Sequence, residues 1–150
     1  MEIIRATAND LPFILPLFDG YRQFYEKPSN LEASGNYLKE RISKNESAIF
    51  VAIDEINGER VGVGFTQLYI TFSSVTLNKF WVLHDLYVRE DYRKQGVAKM
   101  LINQSKELAL ENAPIGLVIE SRISNQSAQH LFDSVGFIKE GEHYFYFLEN

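Results

Sequence analysis

The sequence predicts an α/β fold built on a mixed, mostly antiparallel sheet of about six to seven strands flanked by helices. Three observations carry this. Runs rich in β-branched and aromatic residues alternate with segments of helical period. Between two of those runs lies Asn57-Gly58, a pair that supplies the positive φ angles of a tight antiparallel hairpin. Further on, helical patterns separate the strand candidates, which calls for crossovers and parallel pairing. No repeat, low-complexity tract or Pro/Gly linker divides the chain, so one domain over residues 1–150 is expected.

Element by element, "EIIRA" is a short strand. Thr7, Asn9 and Asp10 are N-cap types ahead of Pro12, so a helix begins there and runs through "LPFILPLFDGYRQFYE", with Pro16 and Gly20 expected to kink or shorten it. Ser29 to Glu32, "SNLE", has capping-box form, and "LEASGNYLKERISK" continues it as a second helix. "SAIFVAIDE" and "VGVGFTQLYITF" are the strands of the hairpin, and "KFWVLHDLYV" is a third long strand. In "GVAKMLINQSKELALEN", Val97, Leu101 and Leu108 share a helical face, with Ala98, Ile102 and Ala109 beside it. "IGLVIES" reads as a nearly all-apolar strand buried between layers. Ala128, Leu131, Phe132 and Val135 mark one more helical face, which Gly136 terminates, and "EHYFYFLEN" reads as a closing strand. The expected order is β-α-α-β-β-β-α-β-α-β-β.

Composition narrows the function. A chain this long buries roughly 68–70% of its unfolded surface, so it needs no covalent staples. It has no cysteine, which excludes disulfides, thiolate metal sites and a cysteine nucleophile. His84, His130 and His143 lack metal-ligand spacing, so no metal is expected. A net charge of -5 argues against a nucleic-acid partner and is compatible with cationic substrates. The start, "MEIIRATAND", has charges where a secretory signal needs an apolar core, and no run is long enough to span a bilayer. A cytoplasmic protein without a membrane partner is expected.

In an acidic chain, Arg93 and Lys94 stand directly before Gly96, where a helix is about to begin. The first backbone N–H groups of a helix lack intrahelical partners and carry the positive end of its dipole. With glycine at the turn, an anion can approach that backbone closely. Arg93-x-x-Gly96-x-Ala98 after a strand thus describes a diphosphate cradle, distinct from both the Walker loop and GxGxxG. A merely solvated basic pair before a helix has the same local sequence.

The order of strand, Arg-x-x-Gly-x-Ala turn, helix, apolar strand and "NQSAQHLFDSVGF" resembles the GNAT superfamily of acetyl-CoA-dependent N-acetyltransferases. Arg93, Gly96 and Ala98 match its motif after the fourth strand, and Asn125, Ala128, Leu131, Gly136 and Phe137 match its downstream motif. "RATANDLPFILPLF", "VGFTQLY" and "WVLHDLYV" are similar to the polyamine and histone-type branch.

This resemblance implies acetyl-CoA as co-substrate, held by the backbone of Leu86, Tyr87 and Val88 along the pantetheine arm. It implies a diphosphate held by Arg93 and the amides of Lys94, Gln95, Gly96, Val97, Ala98 and Lys99. Asn125 and Phe132 would lie on the cofactor side. The acceptor is a small-molecule amine, polyamine or amino-acid-like, with peptide acetylation or a non-catalytic acyl-CoA-binding module as alternatives. The branch carries a glutamate at the position of His84. Histidine, whose side chain ordinarily titrates near about 6.5, is a candidate base for an amine that titrates near about 10.4. A half-buried, hydrogen-bonded strand histidine fits His84 equally well. Strict alternation would send Asp85 to the opposite face of the strand. The Val88 N–H would meet the oxyanion.

The chain departs from the family where Phe132 replaces the proton-donating tyrosine, for which Tyr144, Tyr146 or a water could substitute. Asp19, Tyr21, Tyr25, Glu26 and Glu32 would lie on the acceptor side, although a solvated helix face holds such residues too. A homodimer is expected from family habit and the aromatic tail.

Overall fold

In a computed structural model describing residues 1–149, the elements are β1 (Glu2–Arg5), α1 (Leu11–Phe24), α2 (Leu31–Ser43), β2 (Ser47–Ile56), β3 (Glu59–Ser73), β4 (Asn78–Val88), α3 (Val97–Asn112), β5 (Leu117–Ile119) and α4 (Gln126–Ser134). The chain forms two compact units, Met1–Glu120 and a shorter one from Ser121 onward.

The first unit holds a five-stranded sheet in the order β1-β2-β3-β4-β5, antiparallel except for the parallel β4–β5 pair. β2 is buried on both faces because helices cover both. On one face Ile14, Leu17 and Phe18 of α1 and Leu38 of α2 pack on Ile49, Val51, Ile53 and Phe65. On the other, Val97 of α3 lies against Gly64, the strand neighbour of Phe65. Val97, Leu101, Ile102, Leu108 and Ala109 are the buried apolar side chains of α3, as its period implies.

Asn57 (φ 54°) and Gly58 (φ 82°) close the β2–β3 hairpin with two positive φ angles, the geometry of a type I′ turn. α1 runs through Pro16 without interruption. Proline there removes the bond to the carbonyl of Pro12 in the first turn, and the helix still reaches Phe24, so the expected shortening does not occur. The cap of α2 is Asn30, whose Oδ1 accepts from the Ala33 N–H at 2.9 Å, and not Ser29. Ser29 Oγ instead donates to Asp19 at 2.6 Å.

The C-terminal third departs most from expectation. The "IGLVIES" strand contracts to three residues, with Val118 43% exposed, so it is not buried between layers. No strand forms in residues 142–149, where Tyr144 to Leu148 are all at least 80% exposed, and Asn150 lies outside the described residues. The sheet therefore has five strands instead of six or seven, and the order ends at α4. Aromatic composition favours a strand only where a partner strand receives its backbone. No helix among the described residues is long and apolar enough to cross a membrane.

Candidate active site

The centre of the site is an irregularity in β4. Gln67 of β3 pairs with Asp85 and Leu68 pairs with Leu83, so His84 is an extra residue in a β-bulge. A bulge opposes two residues to one and breaks the alternation of faces. His84 and Asp85 therefore do not separate to opposite sides as strict alternation predicts. The His84 ring meets Tyr69 edge-on at 5.4 Å. Asp85 Oδ2 accepts from Gln67 Nε2 at 3.1 Å, and the same amide group donates to the Tyr69 hydroxyl. Tyr69 in turn shares a hydrogen bond of 2.6 Å with Tyr37. The Tyr21 hydroxyl also bonds Asp85, bringing α1 into the cluster.

Electrostatics follow from this packing. Burial raises the Asp85 carboxyl above its ordinary range, opposed by the hydrogen bonds from Tyr21 and Gln67 and by nearby His84. Burial and the Asp85 charge raise the Tyr21 phenol, and burial and the Tyr37 bond raise Tyr69. Both phenols stay protonated, so both remain donors.

The bulge coincides with an opening in the sheet. β5 pairs with β4 only at Trp81, Val82 and Leu83. From Asp85 to Val88 the edge away from β3 carries no strand among the described residues. The Arg89 N–H reaches the Val63 carbonyl at 2.9 Å, so by the antiparallel ladder Tyr87 and Asp85 also turn their amides to β3. Leu86 and Val88 turn theirs outward. The Tyr87 amide is thus not available at the edge as expected; its side chain instead packs against α1, where Gly20 makes room for the ring.

Just past β4, the turn is held in an unusual shape. Lys94 (φ 60°) and Gly96 (φ 84°) are both left-handed, a conformation that strains a lysine by about 1–2 kcal/mol. Gln95 Nε2 donates to the Asp91 carbonyl at 2.8 Å and fixes the loop. Arg93 Nε donates to the Val88 carbonyl at 3.1 Å while its guanidinium lies over Phe24, so Arg93 ties the turn to the strand end as well as bringing charge. In α3 the first intrahelical bond runs from the Met100 N–H to the Gly96 carbonyl at 3.0 Å, which leaves the amides of Val97, Ala98 and Lys99 without intrahelical partners. A Cβ on Gly96 would meet nothing within 4 Å, so the space before these amides is open. Lys94 and Lys99 are exposed beside it. This turn has the donors, room and charge to hold the diphosphate of coenzyme A.

Of the expected acceptor-side residues, Tyr21 and Tyr25 do meet, edge-on at 5.1 Å. Asp19 does not serve there. It is buried and accepts from Ser29 Oγ, the Asn30 N–H and Gln23 Nε2, fixing the connection between α1 and α2. Glu26 is exposed just beyond the end of α1, and Glu32 is exposed in the first turn of α2.

In the second unit, Asn125 caps α4 by accepting from the Ala128 N–H at 3.2 Å. The helix ends in a Schellman motif: the Gly136 N–H reaches Asp133 O, the Phe137 N–H reaches Phe132 O, and the Phe132 and Phe137 rings meet at 6.0 Å. Phe132 thus has a structural partner of its own. Tyr144 and Tyr146 are exposed.

Sequence reasoning missed Gln67, Tyr69 and Tyr37. The one signal was polar Gln67 inside the apolar run "VGFTQLYITF", since a fully buried amide must find partners. Among the described residues, no group of three or more His, Asp or Glu is placed to hold a metal ion.

Residues 14–137 match the Acetyltransferase (GNAT) family. An uncharacterized N-acetyltransferase of Bacillus subtilis, YhfO, is 37% identical over 137 residues, covering 91% of this chain and 89% of the relative. A probable acetyltransferase of Haemophilus influenzae is 31% identical over 137 residues, covering 91% and 90%. The crystal structure of a probable acetyltransferase, 36% identical, superposes with a TM-score of 0.91 over 100% of this chain and 98% of that one. With its sheet opened beside a helix start whose first amides have no intrahelical partners, and with relatives matched along nearly its whole length, this chain belongs to the GNAT acetyltransferase family and is an N-acetyltransferase.

Proposed function

We propose that the chain moves an acetyl group from acetyl-CoA to the primary amine of a small molecule, polyamine or amino-acid-like, by direct attack in a ternary complex in the cytoplasm. The observation that carries this is the open β4 edge running into the α3 turn. Leu86 and Val88 offer outward amides to an extended pantetheine arm, and the amides from Val97 to Lys99 face open space for a diphosphate. When bound, the thioester supplies the acetyl group.

The chain's own residues do the rest. His84, exposed at the bulge, accepts a proton from the incoming amine directly or through water. The Val88 N–H donates to the oxygen on which charge develops. Phe132 gives no proton to the departing sulfur, so the thiolate leaves unassisted or takes a proton from water. A thiol, which ordinarily titrates near about 8.5, leaves far more readily than an amine, so that step tolerates the loss. The chain works as a homodimer in this reading, supported by the exposed apolar run Tyr144 to Leu148.

The test is free-thiol release across a panel of polyamines, amino acids and peptides with acetyl-CoA. Turnover of small amines at millimolar concentration without turnover of peptides is the expected result. Release with peptides alone reassigns the acceptor, and no release with any amine removes the reading.

A further inference from the structure

Thr66 lies in the middle of β3 and is fully buried, yet the chemistry above gives it no part. Valine would fill the same volume and is as good a strand former, so packing alone gives no reason for a hydroxyl there. Its Oγ1 donates to the Asp85 carbonyl at 2.9 Å, across the β3–β4 pair in which Thr66 faces Leu86. That carbonyl belongs to the residue directly after His84, the extra residue of the bulge. The bond therefore pins β4 where its regular pairing resumes. A trans peptide is planar, so its carbonyl and its N–H point in opposite directions. Drawing the Asp85 oxygen toward β3 turns the Leu86 N–H to the open edge. Gly64, on the same face of β3, treats the next outward amide in a complementary way. A Cβ there would stand 3.0 Å from the Tyr87 carbonyl oxygen, which shares its peptide with the Val88 N–H. Behind the open edge, β3 thus supplies a bond at Thr66 and a gap at Gly64.

We propose that Thr66 is a positioning residue: its hydroxyl, acting through the Asp85 carbonyl, aims the Leu86 amide at the pantetheine arm of coenzyme A. This assignment rests on the coenzyme reading of the open edge and goes beyond it, because it gives a role to a side chain of the strand behind that edge. A strand edge without a neighbour has no ladder on that side to hold its amides in direction. The direction must come from the paired side. Just after a bulge the ladder is at its least regular, and a side-chain bond to the backbone fixes there what regular pairing fixes elsewhere.

The experiment compares Thr66→Val, which keeps the shape and loses the hydroxyl, with Thr66→Ser, which keeps the hydroxyl and loses a methyl group. Calorimetry measures two ligands: coenzyme A, and 3′-phospho-ADP, its nucleotide half without the pantetheine arm. Thr66→Val is expected to bind coenzyme A about twofold to tenfold more weakly than wild type, the scale of one hydrogen bond. Its affinity for 3′-phospho-ADP is expected to stay unchanged, because the α3 amides lie outside the Thr66 bond. Thr66→Ser is expected to recover most of the coenzyme A affinity. In turnover, the Michaelis constant for acetyl-CoA is expected to rise in Thr66→Val with kcat little changed, the mark of an interaction made equally before and in the transition state. A purely structural hydroxyl gives another pattern: lost packing ranks serine below valine, and both ligands weaken alike.

Should Thr66→Val fail to fold, Thr66→Cys serves instead, since a thiol donates far more weakly than a hydroxyl, and the same selective loss is expected. Equal coenzyme A affinity in wild type and Thr66→Val, equal weakening of both ligands, or a loss in Thr66→Ser as large as in Thr66→Val each overturns the assignment. The two readings fail separately. Unchanged coenzyme A affinity in Thr66→Val, while wild type still prefers coenzyme A to 3′-phospho-ADP, sinks the Thr66 assignment alone. Wild type that binds the two ligands alike, or neither, sinks the reading of the edge and the assignment with it. Coenzyme A binding that depends on Thr66 without thiol release from any amine sinks the transfer reading alone.

Discussion

Gly96 is the residue where backbone and chemistry ask for the same thing. Its φ of 84° favours glycine, and the missing Cβ leaves open the space before the α3 amides. Gly96→Glu places both bulk and negative charge in that space. The variant is expected to fold, since nothing lies within 4 Å to be displaced, yet to lose the rise in melting temperature that coenzyme A gives wild type. At 100 times its dissociation constant a ligand adds about 2.7 kcal/mol to stability, so the lost shift is measurable by thermal denaturation. Gly96→Ala, which adds backbone strain without charge, is expected to retain most of it.

His84→Ala tests the base. The rate is expected to drop by about 10²–10⁴ at pH 7, with the difference from wild type narrowing towards pH 9 as more amine is free. Equal rates for the two proteins from pH 6 to pH 9 would remove His84 from the mechanism.

Among the elements, α1 and β3 pack closely, and their closeness depends on small residues; in the function proposed above, α1 lies on the acceptor side. A Cβ on Gly62 would collide with the Phe13 carbonyl, a backbone atom that cannot move aside alone. Gly62→Ala is expected to destabilise by about 1–3 kcal/mol, read from urea midpoints. Because a shift of α1 carries Tyr21 and Tyr25, the acceptor-side residues of the proposed function, the Michaelis constant for the amine should rise while affinity for coenzyme A holds. Gly20 on the same helix faces the Tyr87 hydroxyl, 3.1 Å from where its own Cβ would sit, and serves the same fit. The β4 bulge acts at this scale too. One unpaired residue turns a regular strand into a surface where His84 and Asp85 lie in one cluster.

For the whole first unit, acid stability depends on how α1 and α2 are joined. The hydrogen bond from Ser29, helped by those from Asn30 and Gln23, holds the Asp19 carboxyl below its ordinary range against its own burial. A folded pKa below the unfolded one, about 3.9, means the stabilisation is complete above that value and lost as pH falls through the folded pKa. Wild type should therefore lose melting temperature steeply below about pH 4. Asp19→Asn should be less stable at pH 7 by about 1–3 kcal/mol and show a shallower acid slope. Identical slopes would show that Asp19 carries none of the acid sensitivity.

At this scale the reach of the sequence is also clear. Local signals determined what local physics controls. Asn57-Gly58 dictated its hairpin, the period of Val97, Leu101 and Leu108 gave the buried face of α3, and Gly136 gave the end of α4. The Arg93-x-x-Gly96-x-Ala98 turn was legible because positive φ and an open approach both select glycine. Tertiary structure decided whatever depends on a distant partner. The aromatic tail has strand composition but no ladder among the described residues, because pairing requires another strand's backbone and not propensity alone. The bulge at His84 arises from the register between β3 and β4, which no single strand encodes. That register, with the packing of α1, is what brings Tyr21, Gln67, Tyr69 and Asp85 into one cluster from positions far apart in the chain.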